Sequence, residues 1–389
     1  LFALVGIPYS LKFLWAPLMD RLPLPVLTRL FGRRRGWALL TQGALLAAIV
    51  AMGRADPAND IWLTAAFALA VAFASASQDI VVDAYRVESL SETTLAAGAA
   101  TAVFGWRLGQ VGGGAAGLIL ADVFPWSAVF AGMGLLVAVG MAAILVNPEP
   151  KPDESTQAAE TEKRAELFLE RKRRLSHRLA KITAWLYVAA VRPFAEFTTR
   201  EGWLAVLLFI MLYKFGDAVL AVMKVPFFLE IGFSKTEIAA IAKVFGFNAI
   251  IAGGFLGGLV LARFGIMRGL VICGVLMAAS NLVFIAQAWA GPNQAMLAVT
   301  IAVENVTTGM GTTAFVAYLS SLCNTSYTAT QYALLTSLMA FSRTVMSSGG
   351  GWLADRMDWT PFFIVTTLAA LPGLALLLWI IRRYPPKET

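Results

Sequence analysis

Asp79 and Asp83 stand four residues apart in the stretch "FASASQDIVVDAYRVESL" (73–90), at the end of the almost wholly apolar or small run "IWLTAAFALAVAFASAS". On a helix this spacing puts both acids on one face. Carboxylates so placed can pair with cations, carry a proton, or serve as the two acids of a glycosidase on a lipid-linked sugar. The last role needs a nucleophile or metal partner that the neighbouring sequence does not offer. Lys12, Arg107, Lys214, Asp217, Lys243, Glu304 and Arg343 also fall in apolar stretches. An ion in hydrocarbon costs roughly 2.5–3.5 kcal/mol by insertion scales, so each needs water, a substrate or an opposite charge. The one histidine, His177, sits in a charged linker, and Cys273 and Cys323 occupy separate apolar runs. That pattern excludes intramembrane histidine relays and zinc chemistry and suggests no disulfide framework. Proton transfer then falls to a carboxylate.

The elements that must hold these ions are membrane helices. The chain is 58% hydrophobic and only 14% charged, more apolar surface than a soluble domain can bury. Apolar runs long enough to span a bilayer recur at 1–19, 37–53, 61–85, 95–120, 126–146, 203–229, 238–262, 268–289, 295–322, 329–354 and 361–381. Their length and lack of strict alternation predict an all-α polytopic membrane protein rather than a β-barrel. The net charge of +7 is concentrated in a few loops, chiefly "RLFGRRRG" (29–36) and "RKRRLSHRLAK" (171–181). Such clusters mark cytoplasmic loops rather than nucleic-acid binding, and they place the C-terminal "RRYPPKET" inside. The N-terminal Leu1 then lies outside, in mid-hydrophobic sequence, which predicts that a first span is absent and that the intact protein has twelve.

The segment 147–202 is a polar linker. It opens "NPEPKPDESTQAAETEKR", and Leu167, Leu175, Leu179 and Ile182 form either an apolar stripe on the membrane surface or part of a solvated helix. It separates an N-terminal bundle, 1–146, from a C-terminal bundle, 203–389. The two echo each other. "LADVFPW" (120–126) matches "LADRMDW" (353–359), and "DAYRVESL" (83–90) has a fainter partner in "VAYLSSL" (316–322). Arg107 precedes Gly112, Gly113 and Gly114 as Arg343 precedes Gly349, Gly350 and Gly351. "PLMDR…GRRRG" resembles "GGLVLARFGIMRG" (257–269). Four matches in order predict two six-helix halves related by duplication.

This plan resembles the major facilitator superfamily. The superfamily's loop motif, roughly G-x-x-x-D-R-x-G-R-R, is represented by Asp20-Arg21 and Gly32-Arg33-Arg34, interrupted by residues 22–31. At ~1.5 Å rise per residue, Arg107, Lys214, Asp217, Glu304 and Arg343 fall near the bilayer midplane, where such transporters bind their cargo. By the same rise Asp79 lies roughly 27 Å from the outer start of its span, toward the cytoplasm. Asp83 and Arg86 are deeper still, so Asp20, Arg21, Asp83 and Arg86 are candidates for an inner gate. Lys214 and Asp217, three apart, either neutralise each other or form a pair that opens during transport.

"LKFLWAPLMDR", "FGRRRGW", "SASQDIVVDAY", "LYKFGDA" and "ENVTTGMGTTAFVAYLSSLCNTSYTATQYALL" are similar to the AmpG-type muropeptide permeases of Gram-negative bacteria. The resemblance covers nearly the whole chain outside the linker. It implies proton-driven import of anhydro-muropeptides, GlcNAc-anhydroMurNAc with or without a stem peptide, through the inner membrane for peptidoglycan recycling and, indirectly, β-lactamase induction. It implies no enzyme activity and no cofactor beyond the proton gradient. The expected partners are the bilayer and the muropeptide, with no nucleic acid, and the protein is expected to be a monomer. Arg107, Lys214 and Arg343 would meet the cargo's carboxylates, and Asn305 and Gln331 its amides and hydroxyls. Trp106, Tyr213 and Phe215 either stack on sugars or pack. Depth favours Asp217 and Glu304 as proton carriers, and the resemblance favours Asp79. Transport of another anion such as acetyl-CoA, drug export, and a receptor that binds muropeptides without moving them remain alternatives.

Overall fold

The computed structural model describes residues 5–91, 93–150 and 191–384, and all regular elements among them are helical. The predicted stripe of the linker, His177 and the side chain of Lys243 lie outside the described residues. Among the described residues, seven helices are long and apolar enough to cross a membrane: Arg33–Met52, Ile61–Ser89, Trp126–Val146, Trp203–Glu230, Phe247–Phe264, Ile266–Ala290 and Trp359–Arg383. The other four expected spans are helical but shorter, broken or more polar. The first is Ile7–Leu11 and Ala16–Arg21 joined by a 3-10 turn, and the fourth is Leu95–Gln110 running through a π-helical turn into Gly117–Ala121. The remaining two are Gln294–Ser321 and Thr328–Ser347, the latter followed by Gly350–Ala354. These four carry Lys12, Arg107, Glu304 and Arg343, and a helix that holds an ion for a purpose sacrifices some of the apolarity that marks a span.

Local chemistry sets several helix starts. Asp60 accepts the N–H groups of Trp62 (3.0 Å) and Leu63 (2.9 Å) at the head of Ile61–Ser89. Asn293 accepts that of Met296 (3.0 Å) ahead of Gln294–Ser321. Ser234 and Glu237 form a reciprocal capping box on Lys235–Ile241. Arg33–Met52 has no local cap because its preceding residue is Gly32, with φ +92°. Glu149 supplies one from afar, and a Cβ on Gly32 would lie 2.4 Å from its Cδ.

The chain divides into two compact units. One comprises Leu1–Ser91, Gln110–Arg200 and Cys323–Ser337; the other comprises Glu92–Gly109, Glu201–Leu322 and Leu338–Thr389. The first packs on small side chains, with Ala16, Ala38, Ala84, Ala329 and Ala333 at its centre beside Met19, Ile80 and Val81. Lipid is as apolar as a leucine, so close backbone approach rather than hydrophobic exclusion holds such helices together. Within this unit Trp126–Val146 keeps Leu135, Leu136, Val139 and Val146 exposed, a face suited to acyl chains.

The second unit has an aromatic core of Phe227, Phe228, Phe233, Phe284, Phe362 and Phe363. Phe227 and Phe363 meet edge to face at 4.8 Å, and Phe228 stacks on Phe284 at 5.8 Å. Phe247–Phe264 and Gln294–Ser321 touch backbone to backbone. A Cβ on Gly253 would lie 2.1 Å from the Val306 carbonyl oxygen, and one on Gly309 would lie 2.4 Å from that of Ile250.

Candidate functional site

Most of the ions named from the sequence whose side chains are described gather into two groups, one in each unit. In the first, the segment 7–21 lies along Ile61–Ser89 through polar rungs. Tyr9 donates to Ser75 Oγ at 2.7 Å, the Lys12 ammonium contacts the Asp79 carboxylate, and the Trp15 indole donates to Ser77 Oγ at 3.0 Å. Lys12 is buried while the Asp79 side chain is 45% exposed. Asp83 is held by Arg86 at 3.1 Å, and its charge also acts on Lys12. Arg86 donates to Tyr332 Oη at 3.0 Å and lies over that ring. The two acids thus share a face as their spacing predicts, and each has its own cation.

Asp20 is almost fully buried and accepts from three sides. Arg34 Nη2 donates at 2.7 Å, and the N–H groups of Ala329 and Thr330 donate at 3.1 and 2.8 Å, at the start of Thr328–Ser347. Its negative charge therefore meets both a guanidinium and a helix N-terminus. Arg34 also grips Glu88, with Nε 2.9 Å from Oε2, and donates to the Met19 carbonyl. Arg21 is not part of this cluster and instead lies over the Tyr327 ring at 5.1 Å. Arg35 donates to the carbonyls of Ile144 (2.9 Å) and Leu145 (2.7 Å). With the Tyr85 hydroxyl on the Pro148 carbonyl at 2.6 Å, these contacts tie down the first residues after Trp126–Val146.

Gln331 belongs to this unit rather than to the midplane ions. Its amide nitrogen donates to Glu196 and to the Pro193 carbonyl (3.2 Å), and its oxygen accepts from the Asn324 N–H (2.8 Å) and Arg200 (3.4 Å). Two donors and two lone pairs are all taken, which gives this residue a structural position.

In the second unit, Phe215–Glu230 and Gln294–Ser321 face each other as a polar ladder. Lys224 Nζ lies 3.0 Å from Glu304 Oε1, Thr308 donates to Asp217 Oδ1 at 3.3 Å, and Lys214 Nζ donates to Thr312 Oγ1 at 2.7 Å. Lys214, Asp217 and Lys224 thereby meet positions four apart on Gln294–Ser321, which is one helical face. Asn305 donates to both Glu304 Oε2 (2.9 Å) and the Ile301 carbonyl, so its amide steadies the buried acid. Lys214 and Asp217 are not an ion pair, with no contact between them within 4.0 Å among the described residues. The helix begins at Phe215 with Lys214 at its cap, and the two side chains reach different threonines. Arg107 and Arg343 complete the group. Arg107 feels the charges of Glu304, Arg343 and Asp217, and Lys214 feels those of Asp217, Arg343 and Arg107. Arg343 is exposed on Thr328–Ser347.

Sequence reasoning passed over Lys224, although a lysine inside an apolar run two residues before Pro226 carries the same signal as Lys214. It also named Arg34 only as a piece of a loop motif and did not single out Glu88. Tyr213, offered as a stacking platform, is buried against Phe209 and Phe315 and donates to the Leu270 carbonyl at 3.1 Å. Trp106 is exposed beside Arg107.

Comparison with known proteins gives one consistent answer. The model of the Major Facilitator Superfamily matches residues 2–225 and 206–389. The "Anhydromuropeptide permease" of Escherichia coli strain K12 is 38% identical over 97% of this chain and 71% of its own length. The "Putative transporter AmpG 4" of Rickettsia felis is 34% identical over 98% of this chain and 87% of its own. Among solved structures, the proton:xylose symporter XylE superposes with a TM-score of 0.65 over 98% of this chain and 86% of its own, at 11% identity, a likeness of fold.

Proposed function

Because the chain belongs to the Major Facilitator Superfamily and, within it, to the AmpG-type transporters, we propose that it moves anhydro-muropeptides from periplasm to cytoplasm with protons. The observation that carries this reading is the 38% identity with a protein named for that cargo, sustained across 97% of the chain. The chemistry of the second unit supports it. Muropeptides carry carboxylates, amides and hydroxyls, and Arg107, Lys214 and Arg343, whose charges act on one another, offer cations to such carboxylates.

The coupling proton is assigned to Asp79, with Lys12 as its competitor. A protonated Asp79 releases the ammonium, and Asp83, whose charge already acts on Lys12, receives it. Asp20, Arg34 and Glu88, with Arg86 on Tyr332, serve as the inner gate. Asp217 and Glu304 steady the cargo site through Thr308, Lys224 and Asn305. The protein lies in the inner membrane with its C-terminus in the cytoplasm and acts as a monomer.

Uptake of labelled GlcNAc-anhydroMurNAc-tripeptide into proteoliposomes, with and without an inward proton gradient, tests the proposal. Accumulation that a protonophore collapses supports it. Folded protein that takes up none sinks the cargo assignment, and accumulation indifferent to the gradient sinks the coupling.

A further inference from the structure

Lys224 and Glu304 are an unequal pair. Glu304 is fixed: its side chain is 6% exposed, Asn305 donates to its Oε2 at 2.9 Å, and that amide is itself anchored on the Ile301 carbonyl at 2.8 Å. Lys224 is movable. Its side chain is 31% exposed on a flexible stem, and among the described residues its ammonium makes one hydrogen bond, to Glu304 Oε1 at 3.0 Å. An ammonium has three donors, so two remain for another acceptor. Glu304 is thus the resident counterion of a cation that a ligand can reach from its exposed side.

A second carboxylate arriving at Lys224 sets two negative charges on one ammonium. Apolar helices tolerate that poorly, and the imbalance ends when one carboxylate takes a proton. The proton falls to Glu304, the acid that is buried and cannot turn to water. Asn305 already donates to Oε2, so the proton goes to Oε1, the oxygen that Lys224 leaves. The charges of Asp217, on the helix of Lys224, and of Arg107, on Leu95–Gln110, also act on Glu304 and oppose each other, so the contacting ammonium decides its state.

We infer that Lys224 binds a carboxylate of the cargo and that Glu304 is its exchangeable counterion, taking up a proton as the cargo displaces it. This rests on the muropeptide reading and deepens it, adding a cargo-contacting cation and a second proton site beside Asp79. One ion pair breaks, another forms, and one proton passes from water to Glu304. The site is neutral before and after. A cargo whose carboxylate has become an amide brings no charge and leaves the pair intact.

Calorimetry in two buffers of different ionisation enthalpy, on the intact protein in lipid nanodiscs near neutral pH, counts the protons taken up with each ligand. The ligands are GlcNAc-anhydroMurNAc, with its one lactyl carboxylate, and the same disaccharide with that group converted to the amide. The acid should take up about one proton more than the amide. That difference should vanish in Glu304→Gln while the acid still binds. In Lys224→Met/Glu304→Gln, which keeps the pair neutral, the preference for acid over amide should shrink from roughly tenfold to about twofold. Melting temperatures confirm that each variant folds. Without any ligand, infrared spectra of Lys224→Met should show a protonated carboxyl absorption that the parent and the double variant lack, and its absence overturns the exchange. Equal proton uptake for acid and amide, or a difference that survives Glu304→Gln, also overturns it and leaves muropeptide binding standing. If neither disaccharide binds the folded parent, the muropeptide reading falls and takes this inference with it.

Discussion

Glu149 accepts the backbone N–H of both Arg34 (2.7 Å) and Arg35 (3.0 Å), at the head of a helix that begins more than a hundred residues earlier in the chain. Gly32 precedes that helix with no side chain to cap it, and the carboxylate fills the vacant role while meeting the positive end of the helix dipole. Here one acid after Trp126–Val146 fastens the head of Arg33–Met52.

Replacing Glu149 by alanine should cost about 1–2 kcal/mol of stability, the range for losing a helix cap held by charged hydrogen bonds. Glu149→Gln, which keeps an acceptor and drops the charge, should lose roughly half as much. Denaturant unfolding in mild detergent measures both. An alanine variant as stable as the parent would remove the cap from the account.

Lys12 and Asp79 should respond unequally to neutralisation. Asp79→Asn takes the contacting acid from a buried ammonium and leaves it only Asp83, and should cost about 1–3 kcal/mol, whereas Lys12→Met leaves an acid that is 45% exposed and can hydrate, and should cost less. The double variant should be more stable than Asp79→Asn alone. Thermal melts of the three variants decide this, and a larger loss from Lys12→Met would reverse the assignment of the buried partner.

Gln331→Ala should lower stability by about 1–3 kcal/mol, because it leaves the Asn324 N–H and Glu196 without their partner. Cargo affinity should stay within about twofold of the parent. Binding that weakens tenfold while the melting temperature holds would return Gln331 to the cargo site.

How far the sequence could lead is clear from these same residues. The class of molecule was legible in composition, and the caps Asp60 and Ser234–Glu237 are local signals read within a few positions. Asp79 and Asp83 share a face because spacing on one helix is fixed by geometry. Their cations were another matter. Lys12 is 67 residues from Asp79, and only the rotation of two packed helices decides which side chains meet. The same freedom separated Lys214 from Asp217, whose three-residue spacing permits a pair that the start of the helix at Phe215 does not deliver. Glu149 was illegible for a simpler reason: its partners are backbone N–H groups, which no residue type announces.

A pH dependence follows at the exposed Glu237. Hydrogen bonds from the Ser234 backbone and hydroxyl, and from Gln294, hold its carboxyl below the usual glutamate range. A depressed folded-state value means stability that is present above the unfolded value and lost as pH falls through the folded one. The parent should therefore show a component of acid destabilisation, setting in below the ordinary glutamate value, that Glu237→Gln lacks. Melts from neutral to acidic pH test this, and parallel curves for the two proteins would refute it.

The contact between Phe247–Phe264 and Gln294–Ser321 has a consequence for how this protein can drift. At Gly253 and Gly309 the obstacle to a side chain is carbonyl oxygen on the facing helix, 2.1 and 2.4 Å from the missing Cβ. Backbone cannot turn aside as a flexible side chain can, so these two sites are blind to polarity and charge and sense only volume. Random replacement there should return glycine alone. At Gly113 or Gly349, where a Cβ would meet nothing within 4 Å, many residues should pass. The rail on which Glu304, Thr308 and Thr312 are mounted admits almost no alternative spelling.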